Sequence, residues 1–162
     1  MSHFHQGVYT PINRYKCLTP TVNFLSGFEL DVFRKLDANP RIIRWGANNF
    51  TVQYYSEVDH RIHKYFLDIY CESQNQNGAV TKYIFEIKPD KQVSPPARPK
   101  RMTTKSQQNY NRAILTYRVN MNKWQAAQNF SLSNGMKFMI ITESAKYSFN
   151  NNQLTKISNE GF

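Results

Sequence analysis

The chain has 162 residues and carries 21 Lys and Arg against 11 Asp and Glu, a formal charge of +10. Its 40 % hydrophobic content suffices for one domain with a buried core, and the length is too short for two comfortable domains. No window supplies the ~20 consecutive apolar residues of a membrane span, and the first residues lack the pattern of a secretory signal. Two cysteines, Cys17 and Cys71, cannot organise a disulfide framework, so a reducing compartment is the default expectation. They also share no zinc-ligand spacing with the four histidines. The charge excess predicts a polyanionic partner, nucleic acid or an anionic surface, unless it reflects only general basicity.

In chain order, residues 1–25 contain Pro11, Pro20 and little periodicity, which predicts an extended arm. Ser26-Gly-Phe-Glu29 fits the helix-start pattern S-x-x-E, and Phe28, Val32, Phe33 and Leu36 follow at helical spacing. Asn39-Pro40 ends that helix. β-like runs come next at Arg41–Trp45, Phe50–Tyr55 and Arg61–Cys71, the last closed by a turn over Ser73–Gly78. Thr81–Lys88 is a further strand, stopped by Pro89. Residues 89–102 hold four prolines among several cations and predict a stiff basic loop.

A long helix is predicted from about Thr104 to about Leu132, with Tyr110, Ala113, Ile114, Tyr117, Met121 and Trp124 as its apolar stripe. Lys105, Arg112 and Lys123 then align on the opposite side, either as a solvated face or as phosphate contacts. Lys137–Thr142 reads as a last buried strand, and the Asn-rich tail over 148–162 as peripheral. The order α-β-β-β-β-α-β predicts a single α/β domain over residues 26–147, a mixed central sheet flanked by helices.

Between Asp90 and Glu143 the chain has no acidic residue. Nine cations fall inside that stretch, a positive field that would bind phosphates by counterion release. Lys91, Arg98, Lys100, Arg101, Lys105, Arg112 and Lys123 are the candidate DNA contacts. In such a context a carboxylate near the binding surface weakens affinity unless it holds a metal or does chemistry.

Glu86-Ile87-Lys88 closes a strand whose apolar row is Tyr83, Phe85 and Ile87, so Glu86 and Lys88 share the other face. Asp68 lies between Leu67 and Ile69, and a hairpin through Ser73–Gly78 would bring it opposite Glu86. Two carboxylates and an ammonium on one face suit metal-assisted phosphodiester hydrolysis. The hard oxygens hold Mg²⁺ (or Mn²⁺ in its place), and the lysine orients the attacking water. A cross-strand salt bridge is the simpler alternative. Glu29 likewise has a sufficient role as a capping residue.

As an ordered set, these residues resemble the PD-(D/E)xK nuclease superfamily and, within it, the head completion proteins of T-even-type tailed bacteriophages. The resemblance is carried by Ser26-Gly-Phe-Glu29, Leu36-Asp-Ala-Asn-Pro40, Ile43-Arg-Trp-Gly46, Lys64-Tyr-Phe-Leu-Asp68-Ile and Phe85-Glu-Ile-Lys-Pro89. It continues through Pro95-Pro-Ala-Arg-Pro99, Val119–Gln128, Gly135-Met-Lys-Phe and Thr142-Glu143. It implies a restriction-endonuclease-like core in which Glu29, Asp68 and Glu86 bind metal and Lys88 completes the catalytic set. The backbone carbonyl of Ile87 is a further candidate ligand, and Leu67 stands where the motif usually has proline. The expected activity is Mg²⁺-dependent cleavage of double-stranded DNA late in head assembly, before tail joining.

The expected location is the virion head or neck, or the host cytoplasm during assembly, with portal or neck proteins as possible partners and no membrane. The alternatives are a catalytically silent neck plug and the endonuclease subunit of a cut-and-paste transposon. A third is a single-strand binder that stacks bases on tyrosines.

Overall fold

The computed structural model describes residues 5–158; the outermost four residues of the predicted arm and of the predicted tail lie outside it. The element order is β1 (Gly7–Tyr9), β2 (Val22–Phe24), α1 (Gly27–Ala38), β3 (Ile42–Ala47), β4 (Thr51–Ser56), β5 (Arg61–Phe66) and β6 (Ile69–Gln74). It continues with β7 (Val80–Ile87), a 3₁₀ turn (Asp90–Gln92), α2 (Thr104–Ser133), β8 (Lys137–Ile141), β9 (Lys146–Asn150) and β10 (Gln153–Ser158). Among the described residues, no helix is long and apolar enough to cross a membrane.

Six strands form the central sheet in the order β10-β9-β8-β7-β6-β3. Every pairing is antiparallel except β7 with β8, which α2 joins as a crossover. The mixed sheet flanked by helices is therefore present. Its two faces bury different residues. On one, Leu30, Phe33 and Leu36 of α1 pack on Ile69, Cys71, Phe85 and Ile87. On the other, Trp124 and Ala127 of α2 pack on Ile84, Phe138 and Ile140, together with Tyr65 and Leu67.

Three expectations need correction. The run Arg61–Cys71 is two strands, not one. β5 pairs with β4 in a separate hairpin, whereas β6 pairs with β3 and β7. The break falls at Leu67-Asp68, where the Leu67 N–H donates to the Phe50 carbonyl (3.0 Å) and the Asp68 carbonyl accepts from the Asn48 N–H (3.1 Å). Burial changes at the same point. Around Tyr65 only alternate residues are buried, while Ile69, Tyr70 and Cys71 are all buried, as expected where a one-sided ribbon enters a two-sided sheet.

The boundary placed at residue 147 cuts through β9. The C-terminal hairpin extends the sheet because Phe149, 1 % exposed, seats its ring near Trp124 (6.0 Å) and Phe138 (6.5 Å). The arm is extended but firmly docked. The buried Asp37 carboxylate at the end of α1 accepts from the Tyr9 hydroxyl (3.0 Å) and from the Ile12 and Asn13 N–H groups (2.8 and 3.2 Å). Lys16, also buried, donates its ammonium to the carbonyls of Asp37 (3.1 Å) and Asn39 (3.0 Å), closing the C-terminus of α1.

Finally, the proposed stripe of α2 is core only in its second half. Its buried residues are Asn120, Trp124, Ala127 and Ser131; Tyr110, Ile114 and Tyr117 are half-buried and Ala113 is exposed. At 1.5 Å per residue, the helix of 30 residues is about 45 Å long. It outruns the sheet, so its first half overhangs.

Candidate functional site

The site is built at the end of β7, where alternation turns Phe85 and Ile87 toward α1 and Ile84 and Glu86 toward α2. Glu86 is 1 % exposed, and so needs partners for both carboxylate oxygens. Lys88, two residues along the same face, puts Nζ 2.9 Å from Oε1. Tyr65, from the β4–β5 hairpin, donates its hydroxyl to Oε2. The β6–β7 register pairs Ile69 with Phe85, which leaves Asp68 opposite Glu86, as the sequence predicts. The Asp68 Oδ2 accepts from the Ile87 N–H at 2.8 Å.

Burial, and then the neighbouring Glu86 charge, pushes the Asp68 carboxyl well above its ordinary range. Burial works against the Lys88 ammonium, but the charges of Glu86 and Asp68, with a smaller effect from Glu29, outweigh it and raise its pKa. The Tyr65 phenol is pushed well above its ordinary value by burial and by the Glu86 and Asp68 charges, so it acts as a donor. Two carboxyl groups against one ammonium leave a surplus of negative charge, which a proton or a cation must balance. The donors are hard oxygens, the chemistry that Mg²⁺ or Mn²⁺ requires.

Asp68, Glu86, Lys88 and the backbone of Ile87 are therefore together. Glu29 approaches that cluster from α1, and its charge acts on Lys88. It sits in the first turn of α1, which covers the opposite face of the sheet. Its carboxylate closes the helix start by accepting from the Leu25 N–H (2.7 Å), while its own N–H donates to the Ser26 hydroxyl (3.1 Å). Among the described residues no three His, Cys, Asp or Glu side chains gather in a metal-holding group. The structure brings Asp68 and Glu86 together and holds the Glu29 carboxylate on the Leu25 N–H, near enough for its charge to raise the Lys88 pKa.

Of the candidate DNA contacts, Lys91 lies in the 3₁₀ turn just beyond the site, and Arg98, Lys100 and Arg101 lie in the loop before α2. Lys105 and Arg112 project from the overhanging half of α2. All six are exposed, and none makes an ion pair with a described residue. Lys123 does not join them on a solvent face. It is half-buried, with Nζ 5.4 Å and 5.7 Å from the ring centres of Tyr65 and Tyr54, a cation–π contact behind the Asp68–Glu86 pair. The hairpin folds back over that side of α2 and covers it, which the helical wheel could not reveal. Tyr65 itself was missed, because strand alternation marks it only as one more buried aromatic.

The description "TnsA-like endonuclease N terminal" fits residues 39–143, the stretch running from β3 to just past β8. Over 141 residues the chain is 32 % identical to the head completion nuclease of Enterobacteria phage T4, covering 86 % of this chain and 91 % of that protein. No solved structure matches. The matched stretch contains the β6–β7 hairpin, the crossover helix and the parallel β8 strand that together present Asp68, Glu86 and Lys88. On that similarity the chain belongs to the TnsA-like endonuclease N-terminal family, with its restriction-endonuclease-like core.

Proposed function

We propose that the protein is a divalent-metal-dependent DNA endonuclease that acts late in phage head assembly, before the tail joins. One observation carries this reading. Glu86, buried, and Asp68, half-buried, face each other with Lys88 on Glu86, inside a fold of endonuclease family. The similarity to a phage head completion nuclease over most of both chains supports the setting. The exposed cations at Lys91, Arg98, Lys100, Arg101, Lys105 and Arg112 supply an affinity for duplex DNA that acts mainly through its phosphates.

In this reading Asp68 and Glu86, with the carbonyl of Ile87, would hold Mg²⁺ or Mn²⁺, which would supply a water of lowered pKa and neutralise charge on the scissile phosphate. Lys88, whose ammonium lies on Glu86, would stabilise the anionic transition state and position the attacking water. Tyr65 fixes one oxygen of Glu86 and Lys88 the other, and each oxygen retains a lone pair for a ligand. Glu29 would complete the shell from the first turn of α1, where its charge already acts on Lys88.

The salt bridge between Lys88 and Glu86, sufficient as a structural role, favours a second reading, a neck component that keeps the fold and has lost turnover. Plasmid nicking in Mg²⁺, with EDTA and Asp68→Ala as controls, separates the two. Lys88→Gln is expected to bind DNA almost normally while nicking at least ~100-fold more slowly, since each ~1.4 kcal/mol of lost transition-state stabilisation is tenfold in rate. Wild-type protein without metal-dependent nicking, or Lys88→Gln with full activity, overturns the nuclease reading.

A further inference from the structure

A cleft of about 440 Å³ lies between the basic loop and the overhanging half of α2, and the chemistry above leaves it unused. Its α2 wall is a single stripe in which Asn109, Arg112, Thr116 and Asn120 follow at three- and four-residue spacing. Lys91 and Ser94 face them from the loop side, and Tyr117 adds an aromatic surface. No carboxylate lines it. That of Asp90, next to Lys91 in the chain, is engaged with the Ser144 hydroxyl, from which it accepts at 2.7 Å.

Asn120 is the telling residue. It is only 5 % exposed, and no hydrogen bond ties its side-chain amide to another described side chain. The amide is not sealed away from solvent but lines the cleft, where a ligand can reach it. The volume is that of a small-ligand site.

We infer that this cleft holds one nucleotide of a DNA strand, with its phosphate drawn to Lys91 and Arg112 and its base set against Tyr117 and the Asn120 amide. Two cations without a carboxylate select an anion. An anion alone would leave Asn109 and Asn120 without a function, whereas amide side chains match the donor and acceptor edges of a base. An aromatic face beside them stacks on any base. Lys91 follows Lys88 by three residues, so the chain separates them by at most ~11 Å. The nucleotide in the cleft is thus a near neighbour of the phosphate at Asp68 and Glu86. The inference rests on the DNA-cleaving reading for the identity of the polymer, but not for the existence of the site.

The test is titration of the full ¹⁵N-labelled chain, followed by NMR, with three probes: 5′-deoxynucleoside monophosphates, inorganic phosphate and a thymidine tetranucleotide. The Asn120 side-chain amide signal is identified by its loss in Asn120→Leu. The monophosphates should shift it and bind at least tenfold more tightly than inorganic phosphate, and the tetranucleotide should bind more tightly still. Arg112→Gln, a change at an exposed position, should weaken monophosphate binding at least fivefold, and Asp68→Ala should leave it unchanged. Phosphate binding as tightly as the monophosphates, or an unmoved Asn120 signal, overturns the inference. Wild-type nicking with a silent cleft refutes the cleft alone. Nucleotide binding without nicking refutes the nuclease reading and upholds the cleft.

Discussion

Glu86 shows how a single residue position concentrates the chemistry. An acid at that depth survives because Lys88 and Tyr65 each take one oxygen. Removing the tyrosine hydroxyl leaves that oxygen short of a partner in a buried setting, at a cost of about 1–3 kcal/mol. Tyr65→Phe is expected to lower the melting temperature slightly and to slow nicking about tenfold. It should also shift the Mg²⁺ concentration giving half-maximal rate, a readout that a purely structural tyrosine would not move. Lys123 should hold its place on the remaining ring, so a large loss of fold would contradict the assignment.

Asp68 gives a pH prediction. Its folded pKa is raised above the ordinary 3.8 by burial and by Glu86. The folded state therefore keeps a proton that the unfolded chain releases. The stability this contributes is complete below about 3.8 and is lost as pH rises through the higher, folded value. Asp68→Asn does not titrate, and its side-chain oxygen still accepts from the Ile87 N–H. Its melting temperature relative to wild type, measured in EDTA, should rise steadily from pH 4 toward neutrality. A difference that stays flat with pH would show that Asp68 titrates normally.

Among the elements, the C-terminal hairpin and the β4–β5 hairpin depart most from what periodicity suggests. Residues after 147 are mostly polar and rich in asparagine, yet Phe149 ties β9 to Trp124 and Phe138. Phe149→Ala should cost about 3–5 kcal/mol in a denaturant melt, as for a fully buried ring. A change below about 1 kcal/mol would mean that the hairpin is only loosely attached. The β4–β5 hairpin leaves the sheet at Leu67-Asp68, and that departure carries Tyr65 over to Glu86 while keeping Asp68 at the mouth of β6. A continuous strand would have placed Tyr65 within the sheet instead.

For the whole molecule, the acid-free stretch becomes one continuous basic region running from the end of β7 through the loop onto the overhang of α2. Replacing Lys100, Arg101 and Lys105 together by Ala should weaken duplex binding nearly independently of sequence. It should also reduce the slope of log affinity against log salt by up to ~0.9 for each phosphate that is no longer neutralised. An unchanged slope in a filter-binding or anisotropy series would assign this surface to a protein partner.

Alternation and helical spacing depend on neighbours along the chain, so α1, α2, β7 and β8 were legible in the sequence to within a residue or two. The same holds for the common face of Glu86 and Lys88, which lie two residues apart. The meeting of Asp68 with Glu86 needed only a hairpin. Contacts across the fold were not legible, because no local period encodes them. Glu29 fits both a capping and an acid pattern, and only the fold brings its charge to bear on Lys88. Lys123 fits a solvent face, but the β4–β5 hairpin covers it. Local pattern thus determined which residues could do chemistry. Only the packing of two helices and a hairpin on opposite faces of one sheet decided which of them meet, because those distances are set by burial of apolar surface far away in sequence.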